Sequence, residues 1–147
     1  MSVENFFSEE QKKQITDAIA MAELNTSGEI RLHVEGQCKL DVLDRAAYVF
    51  EKLSIHKTAQ RNGVLFYLAV YDRKFAILGD AGINQLVPAD FWDHIKETML
   101  GLFKEGKFAD GISTGILMAG EQLKVSFPYQ NDDVNELSDE ISFEKNL

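Results

Sequence analysis

Between Asn62 and Asp90 the chain falls into alternating apolar and polar blocks. Val64 to Tyr71 is an unbroken apolar run of eight residues, Asp72-Arg73 interrupts it, and Phe75 to Leu78 forms a second, shorter run. A short run apolar on both faces predicts a central strand covered on either side. The two-residue polar break predicts a hairpin that sends the chain back antiparallel. Upstream, Ile30, Leu32 and Val34 alternate with Glu29, Arg31, His33 and Glu35. That period of two predicts a half-buried strand whose polar side chains, His33 among them, point outward.

Four helices surround these strands. Ser8 and Gln11 fit a capping box, and Ile15, Ala18, Ile19 and Ala22 recur behind it at helical spacing until Asn25–Gly28 breaks the pattern. Asp41 is placed to cap a second helix with Ala46, Val49, Phe50 and Leu53 as its stripe. Strand, helix and central strand then make a right-handed βαβ unit with parallel strands. Pro88 suits the first turn of a third helix that buries Phe91, Ile95, Met99 and Leu102 and stops at Gly106. Asp110 is read as the cap of a fourth, on which Gly111, Gly115 and Ala119 leave a smooth face for close packing. Residues 125–128 are read as a short terminal strand, and the remainder as a solvated acidic tail. The sum is an α/β fold, a three-layer αβα sandwich with a small mixed parallel and antiparallel sheet. Residues 1–129 form one domain in this reading and 130–147 the tail.

Charge narrows the functions. The formal net charge is -9 and the pI about 4.8, which argues against a nucleic-acid backbone or an anionic membrane as partner and suits cations. Cys38 is the single cysteine, so no intrachain disulfide forms, and it is read as structural. His33, His56 and His94 share no zinc-ligand spacing, and no P-loop, dinucleotide fingerprint or nucleophile elbow is present. His56, Lys57 and Arg61 form a basic, solvated loop. The opening residues carry no basic-then-apolar leader and no run is long enough to span a bilayer, so a cytoplasmic protein is expected.

Topology then locates candidate chemistry. With two parallel strands and a third running back, Gly28-Glu29, Asn62-Gly63 and Gly79-Asp80 come to one edge of the sheet, with Asp90 and Asp93 nearby. Glu29, Asn62 and Asp80 would supply the hard oxygen donors that Ca²⁺ prefers. Asp90, and Asp72 at the opposite edge with Glu35 and Asp41, are second-tier ligands, Asp72 being also a natural turn residue. A plainer reading has Asp80 accepting hydrogen bonds from its own loop and Glu29 simply solvated. In the tail, Asn131, Asp133 and Asn135 imitate the start of an EF-hand loop, but Glu136 stands where its glycine belongs and Ser142 where its final glutamate belongs.

Asn62-Gly63-Val64-Leu65, Asp72-Arg73 and Gly79-Asp80-Ala81-Gly82-Ile83 resemble, in order and spacing, the signature blocks of the TPM domain family, and weaker similarity runs from Ser8 to about Leu123. The family includes thylakoid-lumen phosphatase-like proteins of photosystem II repair and many bacterial proteins. The resemblance implies the same αβα arrangement and a divalent cation, most naturally Ca²⁺, in an acidic pocket. Asp80 matches an acidic position in one branch, and Asn62-Gly63 matches the pair before the central strand. Asn84 stands where many relatives carry glutamate, which weakens transfer of acid–base chemistry to that position. Three functions are thus in view. One is a cation-binding module with a structural or regulatory role. A second is a metal-dependent acid phosphatase, as some plant members are described. The third is a metal-free scaffold that meets an unidentified protein through Phe6, Phe7, Trp92 and Phe127.

Overall fold

The computed structural model describes residues 3–129 and 135–147. Helix α1 (Glu9–Glu23) starts as its capping box dictates. Ser8 Oγ accepts from the Gln11 amide, the Gln11 side chain accepts from the Ser8 amide, and Ile15, Ala18, Ile19 and Ala22 are buried. Strand β1 (Glu29–Glu35) leads into α2 (Val42–Lys52), whose first amides donate to Asp41 Oδ2. Strand β2 (Gly63–Ala69) runs parallel to β1, with Glu29 opposite Gly63 and Glu35 opposite Ala69. Strand β3 (Lys74–Gly79) returns antiparallel, from Lys74 opposite Ala69 to Gly79 opposite Val64. Short α3 (Ala81–Asn84), α4 (Phe91–Lys104) and α5 (Phe108–Ser126) follow. The last strand, β4 (Ser142–Phe143), lies parallel to β1, and the strand order is β3-β2-β1-β4.

The pleat of β2 sorts its side chains into two cores. Val64, Phe66 and Leu68 join Ile30, Leu32 and Val34 against α1, α4 and α5, while Leu65, Tyr67 and Ala69 meet Ala46 and Val49 of α2. Every residue of β2 is buried, as its doubly apolar run predicts. Gly111 and Gly115 accept Phe103 and Met99 at close range, so the smooth face of α5 is the seat of α4. Gly120 lies equally close to Ala22 of α1.

Five local expectations are corrected. First, the polar face of β1 is not outward: Glu29, His33 and Glu35 are 3%, 0% and 1% exposed. Residues 135–147, read as a solvated tail, return over it. β4 pairs alongside, Leu137 joins the α2-side core, and Arg31 Nη2 donates to the Glu140 carbonyl. Second, the expected strand at 125–128 is the end of α5, because Ile116, Ala119, Leu123 and Phe127 continue the helical period. Pro128 makes an isolated bridge to Thr26. Third, Lys107 occupies the N-cap of α5; Asp110 sits in its first turn, where an acid favours the helix dipole, and accepts from Gln14 Nε2 of α1 at 2.8 Å. Fourth, α4 begins at Phe91, with Asp90 at its N-cap, and Pro88 shapes the preceding turn by accepting from the Phe91 amide. Fifth, Phe7 and Phe127, expected at the surface, are buried. Asn131, Asp132 and Asp133 lie outside the described residues. Among the described residues no helix is long and apolar enough to cross a membrane.

Candidate functional site

Strand pairing brings Glu29, Asn62 and Asp80 to one end of the sheet, as the topology required. The Glu29 amide donates to the Asn62 carbonyl at 3.3 Å, and the Asp80 amide to the Gly63 carbonyl at 3.0 Å. Their side chains, however, take different partners. Asp80 receives Arg61 through both oxygens, at 2.7 and 2.8 Å, and its Oδ1 also accepts from the Ala81 amide. Asn62 Nδ2 donates to Ser27 Oγ, and Glu29 Oε1 accepts from the Leu137 amide at 2.5 Å. Asp72, at the far end of the strands, accepts from the Cys38 amide at 2.8 Å, and Asp90 is exposed. Asn84 donates to the Gly79 carbonyl and accepts from Trp92 Nε1, tying α3 to β3 and α4. Among the described residues no three His, Cys, Asp or Glu side chains stand together as a ready-made metal shell.

A different acidic group lies beside Glu29. A cavity of about 240 Å³ is lined by Glu23, Glu29, Asn135 and Asp139, with Thr26–Gly28 and Tyr129 around it. Glu23 Oε2 accepts from the Ile30 amide at 2.8 Å, and the Glu23 carboxyl also hydrogen-bonds to Asp139. Burial, reinforced by Asp139, pushes the Glu23 pKa up to about 9. Burial likewise pushes Glu29 to about 7, against the lowering influence of the Leu137 amide. Glu29 Oε2 is buried and has no hydrogen-bond partner. Two carboxyl groups in contact must share a proton or a cation, because two bare charges at that distance repel strongly in a poorly solvated site. The donors are all oxygen, the set a hard divalent cation takes. Glu23 had a sequence signal: it follows Ile15 and Ile19 at four-residue steps, an acid placed on an apolar stripe. Asp139 had none.

A second buried polar group runs across β4, β1 and β2. His33 Nε2–H donates to Glu35 Oε1 at 3.0 Å, and its Nδ1 pairs with Ser142 Oγ at 2.9 Å. Arg45 from α2 donates to both Glu35 oxygens, and the Tyr67 hydroxyl donates to Oε2 at 2.6 Å. Burial by itself would raise the Glu35 pKa, but the donors His33, Arg45 and Tyr67 hold it at about 2. Burial and the neighbouring carboxylate raise that of Tyr67. The order Ser–His–Glu imitates a hydrolase relay, yet Ser142 is 1% exposed. The array fastens β4 to β1.

A family model described as the TPM domain matches residues 2–122. The NMR structure of the BA42 protein from the psychrophilic bacterium Bizionia argentinensis is similar at 46% identity and a TM-score of 0.90, over 97% of this chain and 98% of that one. The N-terminal domain of a P. gingivalis protein aligns at 16% identity and a TM-score of 0.69, covering 86% of this chain and 83% of that one. The N-terminal domain of cg2496 from Corynebacterium glutamicum aligns at 13% identity and 0.64, covering 80% and 74%. The last two show a shared fold alone. No curated protein sequence matches.

Proposed function

The chain belongs to the TPM domain family, and from that premise we propose that it is a divalent-cation-binding module, with Ca²⁺ the ion its donors suit best and a structural or regulatory role. One observation carries the reading. A glutamate oxygen, Glu29 Oε2, is buried without a partner beside two carboxyls in mutual contact, Glu23 and Asp139. A buried acceptor left unpaired costs about 1–3 kcal/mol, and a cation supplies the missing positive charge. Glu29 thus keeps the role expected of it, joined by Glu23 and Asp139, with the Asn135 amide alongside. Asp80 is engaged by Arg61 and Asn62 by Ser27, so these two set the loop on which Glu29 rests. Binding displaces the proton shared at Glu23 and joins the C-terminal segment to the end of α1 and the start of β1.

The test is a Ca²⁺ titration followed by ¹H–¹⁵N NMR, with Mg²⁺ and Zn²⁺ in parallel. Saturable shifts are expected at Glu23, Gly28, Glu29, Asn135 and Asp139, with affinity at least tenfold weaker in Glu29→Gln. Absence of any saturable shift, or a response unaffected by that substitution, defeats the proposal.

A further inference from the structure

At the other end of the sheet, the end of β2, the start of β3 and the turn between α4 and α5 enclose a cavity of about 430 Å³. That is within the size range of small-molecule sites, roughly 300–1,000 Å³. Leu68 and Val70 line its base, and Phe75, Phe103 and Phe108 its wall. The wall is preorganised. Phe103 meets Phe75 edge-on at 5.2 Å and stacks on Phe108 at 5.6 Å, and its ring fills the space that a side chain at Gly111 would need. The three rings remain partly exposed, an apolar surface whose removal from water is favourable.

Two exposed cations, Arg73 on the β2–β3 turn and Lys104 in the last turn of α4, border the same cavity. Neither side chain makes an ion pair or hydrogen bond among the described residues, in a chain whose formal charge is -9. A polar ligand would waste the apolar lining, and a neutral hydrocarbon would leave both cations unused. We propose that this cavity binds a free medium-chain aliphatic carboxylate, its tail over Leu68, Val70 and the phenyl wall and its head between Arg73 and Lys104. The inference is independent of the acidic site, which lies at the opposite end of β1 and β2.

The experiment compares decanoate, decanol and acetate by ¹H–¹⁵N NMR, in the wild type and in the double variant Arg73→Glu/Lys104→Glu. Both changes are on exposed side chains, so folding is retained, and unchanged amide positions at Gly28–Glu29 verify it. Decanoate should give saturable shifts confined to Leu68–Val70, Arg73–Phe75 and Leu100–Phe108, decanol should bind at least tenfold more weakly, and acetate should give none. The charge reversal should weaken decanoate at least tenfold, and the wild-type affinity should fall with added salt, since exposed charges are screened over about 10 Å at 0.1 M. Shifts scattered over the surface, equal affinity for decanol, or an affinity indifferent to the charge reversal would overturn the proposal. Phe103→Ala provides a second check: it should weaken both long-chain ligands, and undiminished binding places them elsewhere.

Discussion

Replacing Gly120 by alanine should destabilise the protein, although the same change at Gly101 should stabilise it. Both residues lie inside helices, α5 and α4 respectively. In a helix interior alanine is favoured over glycine by about 0.8–1 kcal/mol. At Gly101 nothing lies within 4 Å of an added Cβ, so that gain stands alone. At Gly120 the Cβ would sit 2.6 Å from Ala22 Cβ and 2.8 Å from both the Ala22 Cα and carbonyl oxygen. Relaxed carbon–carbon contacts are about 3.5–4.0 Å, so α1 and α5 must part by roughly 1 Å, and the opposing atoms are backbone and an alanine Cβ, which no rotamer change can move. Overpacking of this kind costs about 1–3 kcal/mol. Because those atoms cannot rotate away, the cost falls at the upper end of that range, about 2–3 kcal/mol; less the propensity gain, Gly120→Ala should lose about 1–2 kcal/mol, and at about 2–4 °C per kcal/mol for a chain of this size Tm should fall by roughly 2–8 °C. Gly101→Ala should rise by about 2–4 °C on the same conversion. Thermal unfolding followed by circular dichroism measures both. Equal gains in the two variants would refute the close-approach argument, and a loss at Gly101 would refute the propensity argument. Because Ala22 precedes Glu23, the wedge at Gly120 should also weaken the proposed cation binding, whereas Gly101→Ala should leave it unchanged.

The two acidic groups give opposite responses to pH. Glu29 and Glu23 have folded-state pKa values raised from 4.5 to about 7 and about 9, so between those limits the folded chain binds more protons than the unfolded one. Their contribution is complete below the unfolded value and disappears as pH rises through the folded ones. The urea midpoint in the presence of a chelator should therefore be lower at about pH 9 than at about pH 6, and saturating Ca²⁺ should shrink the difference. A midpoint that stays level or rises would contradict this. Glu35, held at about 2, is the reverse case: it stabilises above the ordinary value of 4.5 and loses that effect as pH falls toward about 2. Glu35→Gln removes the carboxylate that accepts from His33, Arg45 and Tyr67 and should cost about 1.5–3 kcal/mol near neutral pH, with the gap to wild type narrowing at about pH 3. A constant gap in urea titrations at the two pH values would rule out the charge as its source.

Much of the fold was legible because its signals are local. The Ser8–Gln11 box, the doubly apolar Val64–Tyr71 run and the Asp72-Arg73 break each specify hydrogen bonding or burial within a few residues of themselves. Parallel pairing of β1 with β2 and the hairpin to β3 then oblige Glu29, Asn62 and Asp80 to share one end of the sheet. Boundaries were less legible where two local rules competed, as at Ser126, where helical periodicity outran a short β-like stretch, and at Lys107, where the helix opened before the obvious capping acid. What the pattern of residues could not decide was which oxygens meet. Arg61 reaches Asp80 across nineteen positions of sequence, and Asp139 reaches Glu23 from the far end of the chain. The alternation of β1 determined that Glu29, Arg31, His33 and Glu35 share one side of the strand. Whether that side meets water depended on residues 135–147 returning over it. A side chain's periodicity is a property of its own strand, whereas its burial and the charge beside it depend on whatever distant segment closes over that strand, and only the tertiary structure supplies that segment.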